Sequence, residues 1–166
     1  MSTEKSCAFT GHRKIPKADI PMLKKRLQET IESLINQGVY RYLNGGAVGW
    51  DALSASVVLD FKAKNNAVKL IMILPCRNQD EKWSADEKTV YKEILAAADE
   101  IVYVSEEYTA DCMKKRNIRL IEESDYCIAY MKHQRSGSSQ TVRLAKEKGI
   151  PVFNLAEDAP VQELPQ

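Results

Sequence analysis

A surplus of charge, a long apolar run and closely spaced cysteines are all missing from this chain. Its 24 basic and 23 acidic residues leave a formal net charge of +1. No overall field therefore draws it to DNA or to an anionic membrane, although a local basic patch is compatible with that balance. No apolar run is long enough to span a bilayer. The start, Met1-Ser2-Thr3-Glu4-Lys5, lacks the charged-then-apolar layout of a signal peptide, and a cytoplasmic location is expected. Cys7, Cys76, Cys112 and Cys127 stand at neither metal-site nor redox-pair spacing, so no metal centre is expected. Cys7 and Cys127 fall in predicted strands and read as small core residues. Cys112 begins a predicted helix, a place where a thiol can become more acidic.

What is present is a pattern of alternation. Hydrophobic residues make up 44% of 166 positions, which suits one domain with one sizeable core. Six short apolar runs read as strands: Cys7–Thr10, Tyr40–Leu43, Val68–Leu74, Glu100–Val104, Tyr126–Tyr130 and Pro151–Asn154. Several are continuous, as expected for strands covered on both faces. Helical patterns lie between them. The first starts at Asp19 and Pro21, carries Leu23, Leu27, Ile31, Leu34 and Ile35 as its buried stripe and stops at Gly38; the second runs from about Asp51 to Lys64. The third opens with the capping box Ser84-Ala85-Asp86-Glu87. The fourth begins near Asp111, and the fifth runs from about Ser138 to Gly149. Strict strand–helix alternation predicts an α/β fold, a three-layer, doubly wound, mostly parallel sheet with right-handed crossovers. The expected strand order is 3-2-1-4-5-6, with a ligand crevice beyond strands one and four. Residues 1–155 read as a single domain, and 156–166, with Pro160 and Pro165, as a loosely held tail.

Two polar turns that each open a helix stand out. In Asn44-Gly45-Gly46-Ala47-Val48-Gly49-Trp50-Asp51, glycines leave room for a ligand against the backbone, and the first-turn N–H groups favour anions. Asp51 reads as a helix cap or as a partner for a ribose hydroxyl, and Trp50 as a base-stacking residue or a core residue. The second turn, Ser136-Gly137-Ser138-Ser139-Gln140-Thr141, offers hydroxyls and free N–H groups to a phosphate, or is an ordinary serine cap.

Further polar groups cluster beyond the strand ends. Thr10-Gly11-His12-Arg13-Lys14 combines a hydroxyl, a tight bend and basic groups suited to phosphate. The long loop from Pro75 to Trp83 includes Arg77 and a tryptophan that either covers a ligand or staples the following helix. Glu106 and Glu107 are candidate acids or bases, as is Asp51. In Met113-Lys114-Lys115-Arg116-Asn117, Arg116 and Asn117 fall close to the buried stripe. An arginine there must snorkel or meet an anion.

With these residues in view, the chain resembles the SLOG superfamily and, within it, the YpsA-like family. The resemblance rests on Phe9–Arg13, Gly45–Asp51, Pro75–Gln79 with Trp83, Met113–Asn117, Ser124-Asp125 and Thr141-Val142-Arg143 ahead of Lys148-Gly149-Ile150. It implies a Rossmann-like domain that binds a nucleotide-derived ligand such as ADP-ribose, NAD or a nucleoside monophosphate. Other branches are the LOG phosphoribohydrolases and DprA, a single-stranded DNA binder. Met113–Asn117 resembles the LOG arginine motif, with Arg116 at the active arginine. The LOG glycine-rich motif places a glutamate three residues after its threonine; here Thr141 is followed by Leu144, and Ser138 and Gln140 replace two glycines. Leucine cannot move a proton, so LOG-type cleavage would need Asp51, Glu106 or Glu107 instead. The leading expectation is a cytosolic module that binds or senses a nucleotide-like ligand, with an N-glycosidic hydrolase and a single-strand binder as alternatives. The near-neutral charge weighs against nucleic acid. Homo-oligomerisation and a protein partner stay open.

Overall fold

The computed structural model describes residues 4–132 and 137–156. All six predicted strands form: β1 (Lys5–Gly11), β2 (Val39–Asn44), β3 (Lys69–Leu74), β4 (Glu100–Tyr103), β5 (Tyr126–Tyr130) and β6 (Val152–Asn154). Between them run α1 (Ile20–Asn36), α2 (Trp50–Lys64), α3 (Ala85–Ala97), α4 (Cys112–Glu122) and α5 (Gly137–Lys148). The predicted tail from residue 157 onward, and Ser136 of the second polar turn, lie outside the described residues.

Local chemistry accounts for the helix ends. Pro21 sits in the first turn of α1, where its missing N–H costs nothing. Of the predicted stripe, Leu23, Leu27, Ile31 and Leu34 are fully buried and Ile35, at the helix end, only partly. Gly38, just beyond, adopts φ +88°, a left-handed conformation that ends the helix. The capping box of α3 is formed reciprocally: Glu87 N donates to Ser84 Oγ at 3.2 Å and Ser84 N donates to Glu87 Oε1 at 2.9 Å. The carboxyl end of α4 is capped from another helix. Lys148 Nζ donates to the carbonyls of Ile121, Glu122 and Ser124 at 3.0, 2.9 and 2.8 Å.

The strands form one parallel sheet in the order β4-β3-β2-β1-β5-β6. The class is as expected, but the order differs from 3-2-1-4-5-6 in the place of the fourth strand. β4 adds outside β3, and β5 takes the position beside β1. Burial explains the exchange. β5 (Tyr-Cys-Ile-Ala-Tyr) is buried along its whole length, whereas β4 begins with two exposed residues, Glu100 and Ile101. A half-exposed strand is stable at a sheet edge and costly in the centre. The switch point therefore lies between β1 and β5.

Successive β1 residues serve the two faces. Cys7 and Phe9 join the larger core cluster, under α1, α2 and α3, and Ala8 joins the smaller one with Leu120 of α4 and Ala145 of α5. Among the described residues, no helix is long and apolar enough to cross a membrane.

Candidate functional site

At the switch point, the carboxyl end of β1 opens into a cleft of about 390 Å³. Phe9, Thr10 and Gly11 form its floor, with His12 and Arg13 just beyond. Ala47 and Asp51 enter from the start of α2, Met113, Arg116, Asn117 and Leu120 from α4, and Thr141 from α5. In open α/β sheets this is where ligands bind. The His12 loop is held from several sides. His12 N donates to the Tyr130 carbonyl and Trp50 N to the His12 carbonyl, both at 3.1 Å. Lys132 N donates to His12 Nε2 at 2.7 Å, so Nε2 is the acceptor and Nδ1 carries the ring N–H.

The glycine-rich turn is shaped by the protein's own packing. A Cβ at Gly45 would lie 2.6 Å from Arg116 Nη1, and one at Gly49, where φ is +77°, would lie 2.2 Å from the Arg13 carbonyl oxygen. Two of the N–H groups expected to meet phosphate are already used: Gly46 N donates to Asn44 Oδ1 at 2.9 Å and Ala47 N to Asp51 Oδ2 at 3.1 Å. The expectation that this turn cradles an anion is thereby corrected for Gly46 and Ala47. Their donors are consumed in folding the turn, and the glycines admit Arg116 and the Arg13 backbone. Asp51 is not the cap of α2 either; the N-cap is Gly49, and the Asp51 carboxylate holds the preceding turn.

Arg116 and Asp51 are the two ionisable groups buried at the cleft wall, each 7% exposed. Arg116 Nη1 donates to the Gly45 carbonyl at 2.7 Å and Nε to Asn117 Oδ1 at 2.8 Å; Nη2 reaches only the Met113 sulfur, at 3.6 Å. No carboxylate oxygen among the described residues lies within 4.0 Å of this guanidinium. Burial depresses its basicity, and the charge of Asp51 opposes that effect; an arginine remains charged regardless. Burial pushes the Asp51 carboxyl above its ordinary value, against the pull of Arg116, the Ala47 N–H and Arg13. Thr141 is fully buried at the same cleft, and its Oγ1 has no hydrogen-bond partner among the described residues.

The structure thus brings together Thr10, Gly11, His12, Arg13, Asp51, Arg116, Asn117 and Thr141. Gly137, Ser138 and Ser139 start α5; their side chains lie outside what the structure describes. Several other candidates lie elsewhere. Trp50 has no exposure and packs on Tyr130, with ring centroids 5.4 Å apart. Gly11 is the site of this contact, since a Cβ there would meet the indole at 2.4 Å. Trp50 is a core residue and cannot stack on a ligand. Arg77 forms an exposed ion pair with Glu106 at 2.6 Å. Glu106 and Glu107 are exposed and line no part of the cleft. Among the candidate carboxylates, only Asp51 reaches it. Leu144, at the LOG glutamate position, packs against the smaller core. Cys112 is fully buried, which closes it to reagents despite its place at a helix start.

Sequence reasoning missed Phe9, and Met113 and Leu120 of α4, as lining residues. The helical spacing of Met113 and Leu120 with Arg116 and Asn117 was the available signal. It also missed a second cavity of about 240 Å³ on the far side of the glycine turn, which includes Gly46, Gly49 and Trp83.

Comparison with known proteins agrees with this architecture. The chain is 35% identical over 138 residues to the uncharacterised SPbeta prophage-derived protein YoqJ of Bacillus subtilis, covering 75% of this chain and 81% of that one. It is 32% identical over 143 residues to a UPF0398 protein of Bacillus pumilus, covering 81% and 77%. Among solved structures it resembles DNA processing protein A of Helicobacter pylori, known for its single-stranded DNA binding mode, with TM-score 0.65 and 26% identity over 92% of this chain. DprA of Streptococcus pneumoniae shares the fold, with TM-score 0.67, 21% identity and 91% of this chain covered. The chain spans 65% of the first of these DprA chains and half of the second. The YpsA family model, of the YspA SLOG family, matches residues 8–149, and the chain belongs to that family.

Proposed function

We propose that the switch-point cleft binds a nucleotide or nucleotide derivative, in the class of ADP-ribose, NAD or a nucleoside monophosphate. One observation carries this reading: Arg116 is a buried guanidinium at the cleft wall with no carboxylate within 4.0 Å among the described residues. A buried cation without an ion-pair partner is costly, and an anionic ligand relieves that cost. A phosphate between Arg116 and the first turn of α5 meets a fork of N–H donors, a positive helix end and the Thr141 hydroxyl. Arg13 adds a second cation, and Asp51 accepts from ribose hydroxyls.

Thermal denaturation with ADP-ribose, NAD and AMP at millimolar concentration tests it. Binding to the folded state alone raises Tm, by an amount that grows with concentration. No shift across that panel would overturn the reading.

Two further activities have a specific observation each. Asp51 is a buried carboxyl with a raised pKa inside the cleft, a property shared with general acids. Release of base from a nucleoside monophosphate, abolished in Asp51→Asn, identifies an N-glycosidic hydrolase. The likeness to the Helicobacter pylori DprA motivates a single-strand binding assay. Affinity that falls steeply with salt identifies that function.

A further inference from the structure

The second cavity shares two residues with the cleft, Arg13 and Ala47. Both spaces therefore border the glycine turn, one on each side, where the Arg13 backbone lies against Gly49. Their linings differ in kind. Beyond the turn the walls are apolar: Val48 and Ala52 on one side, and Trp83, Val90, Tyr91 and Ile94 on the other. Trp83 stands edge-on to Tyr91, with centroids 5.0 Å apart and planes at 70°. Behind this wall Gln79 Nε2 donates to the Gly46 carbonyl and to the Tyr91 hydroxyl at 3.3 and 3.1 Å, tying the glycine turn to α3. The charged groups of α3 at this cavity are Asp86 and Glu87, and both carry negative charge.

We infer that this apolar chamber receives the base of the nucleotide whose phosphate lies in the cleft. The inference rests on the function proposed above and adds where the base goes and why. Three features favour a base over other groups. The volume of about 240 Å³ falls below the roughly 300–1,000 Å³ that encloses a drug-sized ligand, and suits one planar ring system. The carboxylates of Asp86 and Glu87 repel a second phosphate and accept hydrogen bonds from the amino group of a base. The Trp83 indole offers a flat face of the kind on which bases stack irrespective of sequence. The ribose then crosses the turn near Ala47, and Arg13, which lines both spaces, stands beside both halves.

Calorimetric titration of the full chain with AMP and with ribose 5-phosphate separates the two claims. AMP is expected to bind at least about tenfold more tightly than ribose 5-phosphate, the difference being the base contact. Val90→Phe narrows the chamber from a position that is 43% exposed; it is expected to abolish that difference and leave ribose 5-phosphate affinity unchanged. Fluorescence of the unsubstituted protein gives an independent measure. AMP should perturb the Trp83 emission and ribose 5-phosphate should not, since Trp50 is sealed in the core. Equal affinities for the two compounds, or full AMP affinity in a folded Val90→Phe protein, overturn the base chamber while leaving the phosphate cleft intact. Binding of neither AMP nor ribose 5-phosphate overturns both.

Discussion

Arg116 Nη1 reaches the carbonyl oxygen of Gly45 at 2.7 Å, across 71 positions of sequence. This bond joins the α4 helix to the glycine turn and fixes the orientation of a buried guanidinium that lines the cleft. A Cβ at position 45 would lie 2.6 Å from Nη1, so any larger residue there displaces the guanidinium from this carbonyl.

Replacing Arg116 by lysine keeps a charge but removes the planar fork. We expect Arg116→Lys to remain folded and to lose at least about tenfold in affinity for a phosphate-bearing ligand, as the loss of one charge-assisted hydrogen bond implies. Titration with AMP or ADP-ribose measures this. Unchanged affinity would remove Arg116 from the binding site.

Gly49→Ala places a methyl group 2.2 Å from the Arg13 carbonyl oxygen, at φ +77°. Both the clash and the left-handed backbone oppose the change. Each costs about 1–3 kcal/mol, and a lower urea midpoint is the expected result. Because the displaced loop carries Arg13, ligand-induced stabilisation should fall as well.

The Asp51 carboxyl is raised above its ordinary value of 3.8, chiefly by burial. The folded state therefore holds the Asp51 proton more tightly than the unfolded state does. Stability falls as pH rises from about the ordinary carboxylate value through the folded-state pKa, because the native protein must then bury a charge. Asp51→Asn lacks this term. Urea unfolding of both proteins between pH 4 and neutrality should show the variant gaining on the wild type as pH rises. A constant difference over that range would contradict the burial of an ionisable Asp51.

Lys148→Met removes the three bonds to the carbonyls of Ile121, Glu122 and Ser124. Hydrogen bonds from a charged donor are worth about 1.5–3 kcal/mol when buried, and part of this cap is solvated, so a loss of about 1–2 kcal/mol is expected by denaturant titration. Amide exchange in the last turn of α4 should quicken more than exchange in β5.

Ser84→Ala tests the capping box by itself. Loss of the Ser84 Oγ contact to Glu87 N should cost about 1 kcal/mol. If Glu87 then swings away, the mouth of the apolar chamber changes its charge, and AMP affinity reports the movement.

The alternation of strands and helices, the caps at Ser84 and Gly38 and the buried stripe of α1 were legible in the chain because each depends on residues a few positions apart. Periodicity and turn chemistry act locally. The burial of Arg116 was legible for a similar reason: a charged residue close to an apolar helical stripe signals a buried partner, here the Gly45 carbonyl. What only the tertiary structure decided are relationships across long separations. The place of β4 at the sheet edge depended on competition among strands for the buried centre. The fate of Trp50, core over ligand, depended on Gly11 lying opposite it. The glycines at 45 and 49, which in the sequence could equally make room for a ligand, proved to make room for Arg116 and the Arg13 backbone. A glycine records that space is needed, and only the packed molecule says what fills it.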